Sequence, residues 1–258
     1  MLQIISNHTD AFTQAKTISK IGNYLLLSST VVAIFTTYSG SICITLAAAN
    51  DFLNNLNIVL ILLYILFELI VNSLLPKAEL RRRLGYLDNS FGTNFTGKQS
   101  ENYYNNENLK HGLIKLAANC FESCFFTFNI SRRMIMPLAI KNIMIIIAFL
   151  AAAYFGEKKF LILLSQLTLP VVLVQQLLKL VIYVNINQTV LDHFRELFTE
   201  LRDNKDAHKE PQIIRNIIHY ESNISWASII LDSDIYKKLN PALTKEWEEY
   251  KTVYKIEM

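Results

Sequence analysis

The run Ile58-Val-Leu-Ile-Leu-Leu-Tyr-Ile-Leu-Phe67 decides the class of this protein. It lies within residues 56–75, where Glu68 is the one charged side chain. A helix needs roughly 20 mostly apolar residues to cross a bilayer. The stretch therefore predicts a membrane-spanning helix, and Pro76, directly after it, is predicted to end that helix.

Three further stretches have the same character. They cover residues 22–45, 137–155 and 160–184, and none carries a charge near its centre. The first is longer than the apolar core of a cleaved signal peptide and follows about twenty other residues, so we expect it to be retained. Together the four stretches predict four transmembrane helices arranged as two hairpins.

The composition agrees with a helical membrane protein. Hydrophobic residues make up 52% of the 258 residues and charged residues 18%, with a mean hydropathy of +0.25, which excludes an intrinsically disordered chain. No alternating strand pattern occurs. We therefore predict an all-α fold that forms a homo-oligomeric bundle. Its regions are an N-terminal segment with the first hairpin (1–76), a cytoplasmic helical region (77–136), the second hairpin (137–184) and a cytoplasmic helical tail (185–258).

Basic residues indicate how the helices are oriented. Residues 77–83, after the second span, contain four basic side chains, and Arg132, Arg133 and Lys141 precede the third span. The polar residues between the first two spans include no lysine or arginine, whereas the connection at 156–159 has two lysines and points the other way. Because short cytoplasmic loops are rich in lysine and arginine, both termini and residues 77–141 are predicted to be cytoplasmic.

The tail is predicted to be helical. Its first part carries an apolar stripe at helical spacing, formed by Val190, Phe194, Leu197, Phe198 and Leu201. This stripe predicts a helix that continues the fourth span into the cytoplasm. After a polar break at 203–211, four isoleucines between 213 and 218 predict another amphipathic helix. A last helix is predicted to begin near Asn240, with Pro241 in its first turn.

Motifs that carry catalytic or metal chemistry are few. The chain has no nucleophile elbow, no Walker loop and no metalloprotease motif. Its cysteines, Cys43, Cys120 and Cys124, lack the spacing of a disulfide framework and the histidine partners of a zinc site. We therefore expect reduced thiols, no metal or other cofactor, and no enzymatic activity.

Polar side chains inside the predicted spans are the first candidate functional residues. Glu68 and Asn72 lie one helical turn apart in the second span, and Gln175 and Lys179 lie one turn apart in the fourth, beside Gln176. Ionisable groups in a membrane are costly and usually face a bundle interior or a water-filled path. All five are therefore candidates for lining a pore in a homo-oligomer, with a tetramer as one arrangement. The alternative is that the amides pair between helices and Glu68 reaches the inner interface.

A second set of candidates lies in the cytoplasmic region. Arg81, Arg82 and Arg83 follow the second span closely. The same region also contains Tyr103, Tyr104, Arg132 and Arg133. Guanidinium groups bind phosphates and aromatic rings stack on bases, so these seven residues are candidates for binding a nucleotide or single-stranded oligonucleotide. The alternative is that the arginines bind anionic lipid headgroups and fix the topology.

Three segments of this region carry a resemblance to a known family. They are Arg-Arg-Arg-Leu-Gly-Tyr-Leu-Asp-Asn-Ser-Phe-Gly (81–92), Glu-Asn-Tyr-Tyr-Asn-Asn (101–106) and Ala-Asn-Cys-Phe-Glu-Ser-Cys-Phe-Phe (118–126). With the two predicted hairpins and the helical tail, they make the chain resemble the four-transmembrane, Hailong-like effectors of bacterial anti-phage defence, which are encoded beside SMODS-type nucleotidyltransferases.

The resemblance implies an oligomeric pore in the inner (cytoplasmic) membrane of a bacterium. It also implies a partner, either a cognate nucleotidyltransferase or its nucleotide or oligonucleotide product, that gates the pore and so controls depolarisation of the cell. The resemblance assigns no ligand-binding residue. A different class of function, a non-conducting membrane anchor or adaptor that recruits a cytoplasmic partner, is the alternative.

Overall fold

The computed structural model describes residues 9–42, 47–97, 106, 108–155, 160–204 and 208–256. Over these residues the chain forms helices and connecting turns without a strand, which confirms the all-α prediction. The helices are α1 (Thr9–Ile42), α2 (Ala47–Phe91), α3 (Leu113–Phe155), α4 (Phe160–Asp203), α5 (Glu210–Ala227) and α6 (Ser233–Tyr254).

The helices that contain the predicted spans are much longer than a bilayer requires. α2 has 45 residues, or about 67 Å at 1.5 Å per residue, against a hydrocarbon core of about 30 Å. In the described part of the chain, two helical stretches, Asp51–Phe91 and Val171–Asp203, are long and apolar enough to cross a membrane. It remains a prediction that the chain has four spans and that several copies assemble. The prediction that one helix continues from residues 160–184 into the tail is confirmed, because α4 is unbroken from Phe160 to Asp203.

Pro76 does not end the helix that contains the second predicted span, so that prediction is wrong. It lies inside α2, which continues for fifteen more residues to Phe91. A proline inside a helix removes one N–H and so leaves the carbonyl four residues earlier, that of Asn72, without its usual donor. Packing outweighs this loss, because Leu75, Ala78 and Tyr86 on either side of the proline are buried.

The chain divides into two compact units. One, here called the packed unit, contains Met1–Phe12, Leu75–Met134 and Leu180–Met258; the other, the apolar unit, contains Thr13–Leu74 and Ile135–Lys179. The two stretches predicted as separate cytoplasmic regions therefore contribute mainly to one unit. The boundaries between the units fall within α1, α2, α3 and α4, not between helices.

Aromatic side chains form the core of the packed unit. The ring of Phe121 on α3 stacks on Phe194 and Phe198 of α4, with centroids 5.6 and 5.4 Å apart, and meets Trp247 of α6 edge-on at 5.1 Å. All four side chains are almost fully buried. Aromatic burial of this kind provides a large stabilisation, so the apolar stripe predicted for the tail is explained by contact with α3 and α6.

The last helix begins earlier than predicted. α6 starts at Ser233, and Pro241 lies well inside it, not in its first turn. The carboxylate of Asp232 caps the helix by accepting hydrogen bonds from the backbone N–H groups of Asp234 and Ile235 at 2.7 and 3.0 Å. A side-chain cap of this kind satisfies backbone donors that the first turn otherwise leaves free, and it sets the start of the helix.

Polar contacts join the helices of the apolar unit around a small apolar core. Leu26, Tyr64, Ile145 and Leu173 form that core. The Ser29 hydroxyl donates to Asn57 Oδ1 at 2.6 Å and links α1 to α2. Asn142 Nδ2 donates to the Leu173 carbonyl at 2.8 Å and links α3 to α4. Interhelical bonds of this type are typical of helices that pack within a membrane.

Candidate pore-lining and anion-binding sites

Three of the five predicted pore-lining residues come together in the apolar unit. Glu68 of α2 forms a hydrogen bond with Tyr64, one turn earlier, and interacts electrostatically with Lys179 of α4. Gln176 of α4 lies 3.5 Å from the Tyr64 hydroxyl and donates to it from Nε2. The tyrosine thus connects a carboxylate of α2 with an amide of α4. It was not predicted from the sequence, although its spacing of four residues from Glu68 indicated a contact.

The other two candidates, Asn72 and Gln175, are exposed on the surface of the apolar unit, as is Lys179. The surrounding surface of α2 and α4 is apolar, and its exposed large side chains include Leu62, Leu66, Leu69, Val171, Val174 and Leu178. Apolar side chains suit contact with lipid, whereas amide and ammonium groups in hydrocarbon need a partner or water. The exposed polar side chains therefore mark a part of this surface that is poorly suited to lipid.

Lys179 changes the electrostatic character expected of Glu68. A lone carboxylate in each copy of a pore attracts cations. The ammonium group of Lys179 interacts with that carboxylate in the same unit and offsets its charge. Both charges therefore contribute to the electrostatic character of the site, and its preference for cations or anions depends on both residues.

The structure places two of the predicted arginines on one glutamate of α5. Arg82 donates from Nη2 to Glu221 Oε2 at 2.6 Å and from Nε to Glu79 Oε2 at 2.8 Å. Arg83 donates from Nε to the same Glu221 oxygen at 2.7 Å and contacts the Ser225 hydroxyl with Nη2. Glu221 and Ser225 were not predicted as site residues. Nothing near them in the sequence indicates a contact with α2, which is more than 130 residues away.

The ion pair between Arg82 and Glu221 is largely shielded from solvent. The side chain of Arg82 is 12% exposed and that of Glu221 is 13% exposed. Burial lowers the pKa of Arg82, but the carboxylates of Glu221 and Glu79 raise it by more, so the guanidinium stays charged. The guanidinium carbon Cζ of Arg82 also lies 5.7 Å from the ring centroid of Tyr86 and 6.0 Å from that of Tyr220. We call Arg82, Arg83, Glu79, Glu221 and Ser225 the arginine cluster.

The remaining predicted ligand-binding residues do not join this cluster through any contact in the described residues. Arg81, Arg132 and Arg133 are exposed, and the guanidinium of Arg132 lies over the ring of Phe128 at 5.8 Å. Tyr103 and Tyr104 lie outside the described residues. The structure thus brings together Arg82 and Arg83, and it leaves the other five as exposed or undescribed candidates.

The three segments that carry the family resemblance meet in a buried polar network. Asn106 Nδ2 donates to Asn119 Oδ1 at 3.1 Å and to Glu122 Oε2 at 2.8 Å. Asn119 Nδ2 in turn donates to Asn89 Oδ1 and Ser90 Oγ, both at 2.9 Å. Buried networks of this kind specify one packing arrangement. Side chains from all three segments therefore take part in this network, which holds the end of α2 against α3.

Asp88 organises the turn that follows α2. Its carboxylate accepts hydrogen bonds from the Thr93 hydroxyl, the Phe95 backbone N–H, and both the backbone N–H and the hydroxyl of Thr96, at 2.7–2.9 Å. Desolvation opposes ionisation of Asp88, but these hydrogen bonds outweigh it and lower the pKa of the carboxyl below its ordinary value. Gly92 has φ +68° and ends the helix, a conformation that favours glycine.

Cys120 and Cys124 are free and buried in the packed unit. Desolvation raises the pKa of both thiols, which keeps them protonated and unreactive. Cys43 lies outside the described residues.

Searches of protein-family models, of curated proteins and of solved structures find no match to this chain.

Proposed function

We propose that this chain is the subunit of a homo-oligomeric membrane channel whose wall includes Glu68, Asn72, Gln175, Gln176 and Lys179. One observation carries the proposal: polar side chains of α2 and α4 are exposed on the apolar unit, among side chains suited to lipid. Several copies arranged around an axis give these groups water as a partner, which a single chain surrounded by lipid does not.

The family resemblance extends this proposal to a biological setting. We infer a multi-pass protein of the bacterial inner membrane with both termini in the cytoplasm, acting as an effector of anti-phage defence. A nucleotide or oligonucleotide made by a partner nucleotidyltransferase gates the pore, and conduction depolarises the cell. The arginines that follow the second span support an anionic ligand, because guanidinium groups bind phosphate.

Ion flux through the purified protein tests the channel. The full chain is reconstituted in liposomes with and without a short single-stranded oligonucleotide, and release of a trapped cation is expected under one of the two conditions. In the variant that combines Asn72→Leu with Gln175→Leu, the exposed amides are replaced by apolar side chains that suit lipid. We expect this variant to insert at least as well as the parent and to reduce flux to the level of protein-free liposomes.

Ser73→Ala is the matched control, because it also removes a polar group from the exposed surface of α2. The Ser73 hydroxyl already bonds to the Ile70 carbonyl of its own helix at 2.8 Å. Its loss is therefore expected to leave flux unchanged. If the double variant passes ions at the same rate as the parent, Asn72 and Gln175 do not line the pore.

An adaptor function is the second candidate, and the outer face of α5 favours it. Pro211, Ile214 and Ile218 are exposed there, the two isoleucines at 46% and 59%. An exposed apolar helix face of this kind suits a partner protein. The flux assay separates the two functions, because an adaptor inserts into liposomes without passing ions.

A further inference from the structure

Two arginines of α2 meet a single carboxylate oxygen of α5. Arg82 Nη2 and Arg83 Nε both donate to Glu221 Oε2, and Arg83 Nη2 contacts the Ser225 hydroxyl. The other carboxylate oxygen, Glu221 Oε1, is buried and has no hydrogen-bond partner among the described residues. Donors therefore converge on one acceptor atom while its neighbour accepts nothing, which is a poor match between a carboxylate and its site.

A phosphate group matches these donors better than the carboxylate does. Arginine binds phosphate through pairs of parallel N–H donors, each directed at its own oxygen. Glu221 uses one N–H from each arginine and satisfies both with one atom. A phosphate in its place offers separate oxygens to Arg82, to Arg83 and to the Ser225 hydroxyl.

The two glutamates of the arginine cluster have different structural consequences. Glu79 lies three residues before Arg82 on the same helix, so their ion pair joins α2 only to itself. Glu221 belongs to α5 and is 139 residues from Arg82 in the sequence, so its ion pairs join α5 to α2. When Glu221 is displaced, Arg82 keeps its ion pair with Glu79, whereas Arg83 loses its ion pair. An anion at the position of Glu221 restores the second partner of Arg82 and the partner of Arg83, and so offsets the cost of separating buried charges.

We propose that Glu221 is an internal anion occupying a phosphate-binding site formed by Arg82, Arg83 and Ser225, and that a ligand carrying a phosphate group displaces it. The displacement breaks the ion pairs that hold α5 to α2 and transfers both arginines to the ligand. This inference rests on the proposed function, because it assigns a ligand class and a mechanism of regulation to the inferred channel.

Binding measurements on the full chain in detergent test the competition. The probes are inorganic pyrophosphate and a short single-stranded oligonucleotide. Glu221→Gln removes the competing charge and keeps the size of the side chain, and we expect it to bind the probes about tenfold more tightly than the parent does, equal to about 1.4 kcal/mol. Arg83→Lys keeps the charge but loses the guanidinium fork, and is expected to bind more weakly.

Glu248→Gln is the control for net charge. Glu248 pairs with Lys251 on α6 at 2.6 Å and lies outside the arginine cluster. Its neutralisation makes the same change in net charge and is expected to leave binding of the probes close to that of the parent. If Glu221→Gln binds no more tightly than Glu248→Gln, Glu221 does not compete for the site and the proposal is wrong.

Hydrogen exchange in the parent protein decides the case in which Glu221→Gln fails to fold. Backbone amides of α5 are expected to exchange faster when pyrophosphate or the oligonucleotide is present, because α5 has lost its ion pairs to α2. Exchange in α6 is expected not to change. Unchanged exchange in α5 at saturating probe would overturn the proposal.

Phosphate groups of lipids and of soluble ligands share this chemistry, and the membrane composition separates them. In nanodiscs of neutral lipid, faster exchange in α5 on addition of the oligonucleotide assigns the site to a soluble ligand. Faster exchange in anionic-lipid nanodiscs without any probe assigns it to lipid headgroups. Binding without ion flux in liposomes leaves the site in place and contradicts only the channel, so the two proposals fail separately.

Discussion

The carboxylate of Glu68 and the ammonium of Lys179 have opposite effects on the ion preference of the inferred pore. A unit charge about 4 Å from an ion contributes on the order of 4 kcal/mol at an effective dielectric constant near 20. Glu68→Gln is therefore expected to reduce cation preference, and Lys179→Gln to increase it. Reversal potentials under a salt gradient in planar bilayers measure both shifts, with Ser73→Ala as the unchanged reference.

The opposite signs make this test specific. A variant that only disturbs packing changes conductance or assembly in both cases without moving the reversal potential in opposite directions. If both reversal potentials equal that of the parent, neither charge faces the conduction path. The exposed amides of Asn72 and Gln175 then remain as the candidates on α2 and α4.

The carboxylate of Asp88 is expected to make the turn after α2 sensitive to acid. Its pKa in the folded protein is lower than in the unfolded chain, where it is about 3.9. Its stabilising contribution is therefore complete above that value and is lost as the pH falls through the folded pKa. Asp88→Asn replaces an acceptor of several hydrogen bonds by a partial donor and is expected to cost about 1–3 kcal/mol at neutral pH.

Thermal unfolding at pH 7 and at pH 3.5 measures this contribution. The gap in midpoint temperature between the parent and Asp88→Asn is expected to be smaller at the lower pH. Asp234→Asn provides the control, because Asp234 is exposed in the first turn of α6. A gap that stays constant between the two pH values would show that the Asp88 charge does not hold the turn.

Spacing along one helix made some site residues predictable, and contacts between distant segments made others unpredictable. Glu68 and Asn72 could be grouped because residues four apart share a helix face. The same rule indicates Tyr64, which forms hydrogen bonds with Glu68 and Gln176. By contrast, the contact of Arg82 with Glu221 depends on how α5 packs against α2, and no local pattern encodes that packing.

Among the helices, the effect of an interior proline on stability can be measured most directly at Pro76 of α2. Proline in a helix interior is less favourable than alanine by about 3 kcal/mol, and Pro76 is exposed. Pro76→Ala restores the N–H that bonds to the Asn72 carbonyl, so we expect the midpoint of thermal unfolding to rise by several degrees. Pro211→Ala is the control, because proline at the start of α5 occupies a position where no N–H is needed.

A lower midpoint for Pro76→Ala would mean that a bend at the proline is required by the packing of α2. Pro211→Ala shows whether such a fall is specific to the interior of α2, since both variants lose a proline ring from an exposed position. A matching fall in both variants would assign the effect to the chemistry of the substitution and not to the interior of α2.

Helix ends were less predictable from the sequence than the helices themselves. Long uncharged stretches and apolar stripes identified the helices, because those patterns reflect burial along an entire face. The start of α6 was misplaced, since proline in a first turn and aspartate as a cap are competing signals. Asp232 satisfies two backbone donors, and that local gain determines the start.

At the scale of the whole molecule, the orientation in the membrane is the first property to establish. The basic residues that follow the second predicted span and precede the third favour a cytoplasmic position for residues 77–141. A reporter joined after Asn50 is therefore expected to be periplasmic, and one joined after Asn106 to be cytoplasmic. Alkaline phosphatase and green fluorescent protein fusions provide readouts of opposite sign.

The opposite pair of results would invert the orientation, and with it the side of the membrane from which a ligand reaches Arg82. Two reporters on the same side would instead contradict the arrangement of spans as hairpins. In either case, the contacts within the packed unit remain a property of the folded chain.

The grouping of helices into two units could be predicted only in part. The hydropathy of the chain separates spans from polar regions, so the apolar unit was foreseeable as a set of helices. The packing of residues 77–136 and 185–258 into one unit could not be predicted, because no pattern in either stretch indicates that its apolar side chains pack against the other. Phe121 of α3 requires Phe194 and Trp247 to bury its ring, and only the folded structure reveals that these three are partners.

The unbroken course of α2 has a mechanical consequence. Pro76 stands inside this helix and supplies no N–H to the carbonyl of Asn72. A helix bends most easily where its ladder of hydrogen bonds lacks a rung, as it does at an interior proline. Any bending of α2 under load is therefore expected to concentrate at this step, while the turns before and after it stay straight.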